Sequence, residues 1–132
     1  MPGIVRAIRA ISIVTILFGV VAVVAPQMVG DLVGLTIEVG NSNGYGEIGA
    51  LYGGVSIALG LLGLWAMLPG YPGGQQLLGA IGLTWACLAV CRLLVMTVVK
   101  PQSAGFIGWG SFILEAGLAA VFIFLRTSAD PD

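Results

Sequence analysis

Three ionisable residues stand inside otherwise apolar stretches. Glu47 sits in Tyr45-Gly-Glu-Ile-Gly-Ala-Leu-Tyr52-Gly-Gly54, Arg92 in Cys91-Arg-Leu-Leu-Val95, and Glu115 in Phe112-Ile-Leu-Glu-Ala116. A guanidinium keeps its proton and offers five donors in a planar fork, which suits two-point pairing with a carboxylate. Tyr52 and Ser111 add hydroxyls that can donate or accept on the same helices. Such a set can fix helix register, hold a polar head group or move protons. A charge at the centre of a bilayer costs about 2.5–3.5 kcal/mol on insertion scales, so each of these residues is a candidate for function until a partner explains it.

Other chemistries are thinly supplied. The chain has no His, which removes the usual zinc and haem ligand and the commonest general base. No metal site or cofactor is expected. Five Lys and Arg against six Asp and Glu leave no basic cluster able to neutralise a phosphate backbone, so nucleic acid is not an expected partner. Cys87 and Cys91 lie four apart on one predicted helix and read as small apolar packing residues. Enzymatic chemistry ranks below binding: carboxylates, tyrosines and an arginine can do acid–base work, but no nucleophile or cofactor motif accompanies them.

The elements that must position these residues are set by composition. With 132 residues, 58% of them apolar and 8% charged, and a mean hydropathy of +1.08, the chain departs far from the roughly 25% charged residues of soluble domains. It reads as an all-α integral membrane protein, a single-domain four-helix transmembrane bundle with short loops. The expected spans are residues 4–25, 45–68, 76–99 and 106–125, each near the ~20 residues a bilayer requires.

Pro26 is expected to end the first span. The apolar residues that follow it, from Met28 to Ile37, suggest a short element lying at the membrane interface. Gly40-Asn-Ser-Asn-Gly44 and Pro69-Gly-Tyr-Pro-Gly-Gly74 read as turns, and Lys100-Pro101 as the stop of the third span. The N-terminal apolar run lacks a small-x-small cleavage site at Pro26-Gln27-Met28 and reads as a retained span. Arg6, Arg9 and Arg126 flank one side of the bilayer and Lys100 the other, which places both termini in the cytoplasm.

At ~1.5 Å per residue, Glu47 then lies a few ångströms below the outer surface, Arg92 about 12 Å and Glu115 about 15 Å. All three fall in the outer half, with Glu115 the expected partner of Arg92 and Glu47 able to complete a triad or reach water. Gly46, Ala50, Gly53, Gly60 and Gly63 in the second span, and Gly79, Gly82, Ala86 and Ala89 in the third, provide faces for close helix approach. Gly49-x-x-x-Gly53 is expected to pack within the chain.

The pattern Glu47-x-x-Ala50-x-Tyr52-Gly53-Gly54, with Arg92 and Glu115 in the following two spans, resembles a bacterial family of four-helix membrane proteins known as a domain of unknown function. This chain departs from the family at Gly49, where Arg is usual, and after Arg92, where an Asp-Gly is missing. The architecture also looks like that of DoxX-type four-helix proteins, some of which work beside quinone-linked oxidoreductases. These resemblances imply a bacterial inner-membrane setting.

Two functions follow as expectations. One is binding of a small amphiphile, lipid or quinone-like molecule at Glu47, Tyr52, Arg92, Ser111 and Glu115. The other is service as an accessory subunit or assembly factor, in a homo-oligomer or a larger membrane complex.

Overall fold

The computed structural model describes residues 2–35, 42–99 and 105–128. Among the described residues the regular structure is helical. Four stretches, Gly3–Val24, Asn43–Ala66, Gly74–Val98 and Phe106–Thr127, are long and apolar enough to cross a membrane. The all-α reading with four membrane-length helices therefore holds, and by that length and composition the chain is a multi-pass membrane protein. It divides into two compact units, Pro2–Met67 and the chain from Leu68 onward. Glu38, Lys100 and the acidic tail lie outside the described residues.

In the first unit, α1 runs from Pro2 to Val24 and α2 from Pro26 to Leu32. Pro26 does break the first span, but it also starts the next helix, in the first turn where a missing N–H removes no helical hydrogen bond. The short element expected after it is thus a helix. It closes with Gly34 at φ +77°, the Leu35 N–H reaching the Gly30 carbonyl at 2.8 Å and the Gly34 N–H reaching Asp31 at 3.2 Å. Only glycine takes that conformation without a Cβ penalty.

The second long helix begins at Ser42, earlier than expected, because Ser42-Asn-Gly44 is helical instead of turn. It comprises α3 (Ser42–Ile48), a π-helical segment (Gly49–Gly54) and α4 (Val55–Ala66). The wider π turn falls on a glycine-rich stretch, where backbone crowding by side chains is least.

α1 and this helix pack antiparallel. Ser12 faces Gly60 and Gly19 faces Gly53: a methyl on Gly60 would lie 2.6 Å from the Ser12 carbonyl oxygen, and one on Gly19 would lie 2.7 Å from the Gly53 carbonyl oxygen. Such backbone proximity lets dispersion act between helices in lipid, where transfer from water supplies no drive. The seam differs from the expected one. Gly53, Gly60 and Gly63 are buried, while Gly46 and Ala50 are exposed. A methyl on Gly49 would meet nothing within 4 Å, so only Gly53 of the Gly49/Gly53 pair packs within the chain. Residues 53, 56, 60 and 63 share one helical stripe; the wider π-helical turn at Gly49–Gly54 breaks the α periodicity that would otherwise carry the stripe back to Gly46.

In the second unit, α5 (Gly74–Leu94) continues through a π segment (Val95–Val99), and α6 (Phe106–Ser128) returns beside it. Gly70, at φ +75°, makes the turn before α5. The register is antiparallel: Met96 meets Gly108, Gly82 meets Phe122 and Ile123, and Gly79 meets Arg126. The expectation that Cys87 and Cys91 are buried packing residues is overturned, since both thiols are free and exposed. The buried face of α5 carries Leu78, Ile81, Gly82 and Ala89, and positions 87 and 91 lie off that stripe.

Candidate functional site

α5 places Arg92 in its last turn, just before the π segment, and α6 places Glu115 opposite. The Arg92 Nε donates to Glu115 Oε2 at 2.9 Å and Nη2 donates to Oε1 at 2.7 Å. This is the two-point pairing expected from residue type, with both carboxylate oxygens engaged. The hairpin fixes it from either side: the Met96 sulfur would lie 3.2 Å from a methyl on Gly108, and Ile123 Cγ1 would lie 2.8 Å from one on Gly82. Ala89 and Ala119, both buried, keep the two backbones close nearby.

The pair is unequally covered, the side chains of Arg92 and Glu115 being 30% and 10% exposed. Removing a carboxylate from water costs several kcal/mol, which pairing at this geometry largely offsets. Charges cancel within the pair. The polar group that remains accessible belongs to the donor, not to the acceptor.

The other candidates take different places. Ser111 is half-buried on α6, one turn before Glu115. Glu47 lies in the first unit and is exposed. Tyr52, also in the first unit, packs with Phe18 and Val33 against the buried cluster of Ala22, Val29 and Ile48. Its ring therefore ties the second long helix to α1 and α2.

Several polar contacts were not legible from the sequence. The Tyr45 hydroxyl donates to Gln27 Oε1 at 2.9 Å, linking α3 to α2. Arg9 Nη2 donates to the Met67 carbonyl at 3.3 Å, placing a cation at the C-terminal end of α4, where exposed carbonyls and the helix dipole favour it. Thr15, Thr84 and Thr97 donate to the carbonyls four residues earlier, at 2.9, 2.9 and 2.7 Å. Each hydroxyl is thereby satisfied by its own helix. Ser12 behaves otherwise: it is fully buried at the Gly60 crossing and its hydroxyl has no hydrogen-bond partner. Predicting the surroundings of Tyr45, Arg9 and Ser12 needs the register between helices, and only the aligned glycines hint at that; the threonine contacts need only the helix they sit on.

Among the described residues no group of three or more His, Cys, Asp or Glu is placed to hold a metal ion. Comparison of the chain with models of protein families, with curated proteins and with solved structures gives no match.

Proposed function

We propose that this chain is a bacterial inner-membrane protein, with both termini cytoplasmic, that binds a small amphiphile, lipid or quinone-like molecule beside Arg92, Glu115 and Ser111. One observation carries the reading. An arginine–glutamate pair is held six residues inside one end of its span at Val98 and nine inside the other at Phe106, and the arginine stays 30% exposed. A pair serving packing alone gains nothing by leaving its cation accessible, because lipid solvates a guanidinium poorly. The positive-inside distribution of Arg6, Arg9 and Arg126 supports the orientation, and the likeness of the Glu47–Gly54 block to a bacterial family supports the setting.

Native mass spectrometry of the gently extracted protein tests the proposal. The wild type should carry a defined non-protein mass, and Arg92→Gln with Glu115→Gln, which replaces the ion pair by two neutral amides, should carry much less. An equal load on the folded double variant sinks the proposal.

A second reading, accessory subunit or assembly factor, is favoured by a different observation. Gly46, Ala50, Gly54 and Ala58 recur every four residues along the second long helix and are all exposed. In lipid, a row of small residues admits another helix closely. Methyls on Gly46 would meet nothing within 4 Å, and on Gly54 only a carbonyl at 4.0 Å, so Ala50→Leu should leave the fold intact while removing any partner that comigrates on a native gel.

A further inference from the structure

The second long helix carries one extra residue in its π turn, where the Val55 N–H reaches the Ala50 carbonyl, five residues back instead of four. An extra residue turns the chain before it by about 100° relative to the chain after it. In an uninterrupted α-helix Gly46, Gly49, Gly53, Ser56, Gly60 and Gly63 would share one face, since they are spaced by three and four. The π turn splits that face. Gly53, Ser56, Gly60 and Gly63 are buried, whereas Gly46 is exposed and Ile48 takes the buried place, packed with Ala22 and Val29.

We propose that this helix is a two-position device, in which closing the π turn gives a second, all-α register of Ser42–Ile48 against α1 and α2. Closure turns that segment by about 100°, so that each position is taken over by the next residue along the chain. Gly49 then replaces Ile48 on the seam, Gly46 replaces Tyr45, and Glu47 moves to the exposed position that Gly46 holds in the π form. A carboxylate within an apolar span, Asn43–Ala66, is thereby carried from one side of its helix to another.

The two registers trade comparable contacts. The π form buries Ile48 and keeps the Tyr45 hydroxyl on Gln27 at 2.9 Å. In lipid, apolar burial brings no transfer gain from water, so Ile48 contributes packing alone. The α form restores hydrogen bonds four residues apart and extends the close backbone approach already made at Gly53 and Gly60. Space for the movement exists in the π form: a methyl on Gly46 or Gly49 would meet nothing within 4 Å. Gly49, Gly53 and Gly54 also put no Cβ into the wide turn. The movement is confined to the first unit and does not depend on a ligand at Arg92.

Relaxation-dispersion and saturation-transfer NMR of the full chain in lipid nanodiscs tests the device, since these methods read exchange between a major and a minor form. Amides of residues 42–54 should show exchange or a second set of signals, and those of Val55–Ala66 should not. Gly49→Leu discriminates, because its side chain has open space in the π form but is driven into α1 in the α form. That variant should fold and lose the exchange. Ala50→Leu, whose side chain stays off the seam in both forms, should keep it. Deletion of Ala50 is an independent arm: it removes the extra residue, leaves Ile48 against Val29 and should also abolish the exchange.

A single set of signals without exchange across 42–54 in the wild type overturns the proposal. Exchange that persists at the wild-type level in folded Gly49→Leu, or in the folded deletion variant, does the same. If deletion of Ala50 prevents folding, the contrast between Gly49→Leu and Ala50→Leu decides.

Discussion

Arg92 and Glu115 meet through two hydrogen bonds, 2.9 Å from Nε and 2.7 Å from Nη2, across the only pair of long helices that the second unit contains among its described residues. Breaking one side leaves the other charge in an apolar hairpin. A fully buried pair costs roughly 3–5 kcal/mol to break this way; with Arg92 30% exposed, solvent or head-group screening lowers the expected loss for Arg92→Leu to about 1–3 kcal/mol. Arg92→Leu with Glu115→Leu should recover part of that loss, because no lone charge remains. Thermal unfolding in detergent reads both, and additive losses in the double variant would show that the residues are not energetic partners.

Gly19 tests the seam of the first unit. A methyl there would lie 2.7 Å from the Gly53 carbonyl oxygen and 2.9 Å from the Ile57 nitrogen. Both are backbone atoms, which cannot rotate aside as a side chain does. Gly19→Ala should therefore push α1 from the second long helix and cost about 1–3 kcal/mol. Gly46→Ala is the control: nothing lies within 4 Å, and removing a glycine from a helix gains up to about 1 kcal/mol. Equal effects from the two substitutions would mean the seam is looser than the contacts indicate.

The sequence made some of this architecture legible and hid the rest for physical reasons. Apolar runs bounded by Pro and Gly located the four long helices to within a few residues, because span length is set by the bilayer and not by neighbours. The Arg92 and Glu115 pairing was legible because a guanidinium in such a run has few partners to choose from. Gly46, Ala50 and Gly49 were indistinguishable from Gly53 and Gly60, since small size permits close approach without specifying which face receives a helix. Cys87 and Cys91 misled for the same reason. The π segments at Gly49–Gly54 and Val95–Val99 carry no periodic signal, because a single wide turn does not alter the apolar content of a span. Tyr52 has the chemistry of a site residue, but its packing against Ala22, Val29 and Ile48 depends on α2 folding back beside α1.

Topology follows from charge placement. Arg6, Arg9 and Arg126 should be retained on the cytoplasmic side, which puts α2 and the start of α3 outside and the turn before α5 inside. In a background where the exposed Cys87 and Cys91 are replaced by Ser, a cysteine at Asn43 should react with a membrane-impermeant maleimide in intact cells, and one at Gln76 should react only after lysis. Both residues are exposed in the fold, so access is decided by the membrane. The reverse pattern of labelling would invert the orientation.

Ser12 gives the most direct test of how tightly the α1 crossing is closed. Its hydroxyl is fully buried and has no partner, whereas the hydroxyls of Thr15, Thr84 and Thr97 each reach a carbonyl of their own helix. A buried hydroxyl without a partner is destabilising, and replacing it by hydrogen removes the penalty while keeping the Cβ that fills the seam. Close approach at this point uses the Ser12 backbone, since it is the Ser12 carbonyl that a methyl on Gly60 would approach to 2.6 Å; the substitution leaves that contact untouched. Ser12→Ala should accordingly be neutral or raise stability by up to about 1 kcal/mol, while Ser12→Val should lose stability through overpacking at the same crossing. Thermal unfolding of the two variants separates the cases. A loss of more than about 1 kcal/mol in Ser12→Ala would mean that the hydroxyl is hydrogen-bonded in the membrane, with a partner seated between α1 and α4.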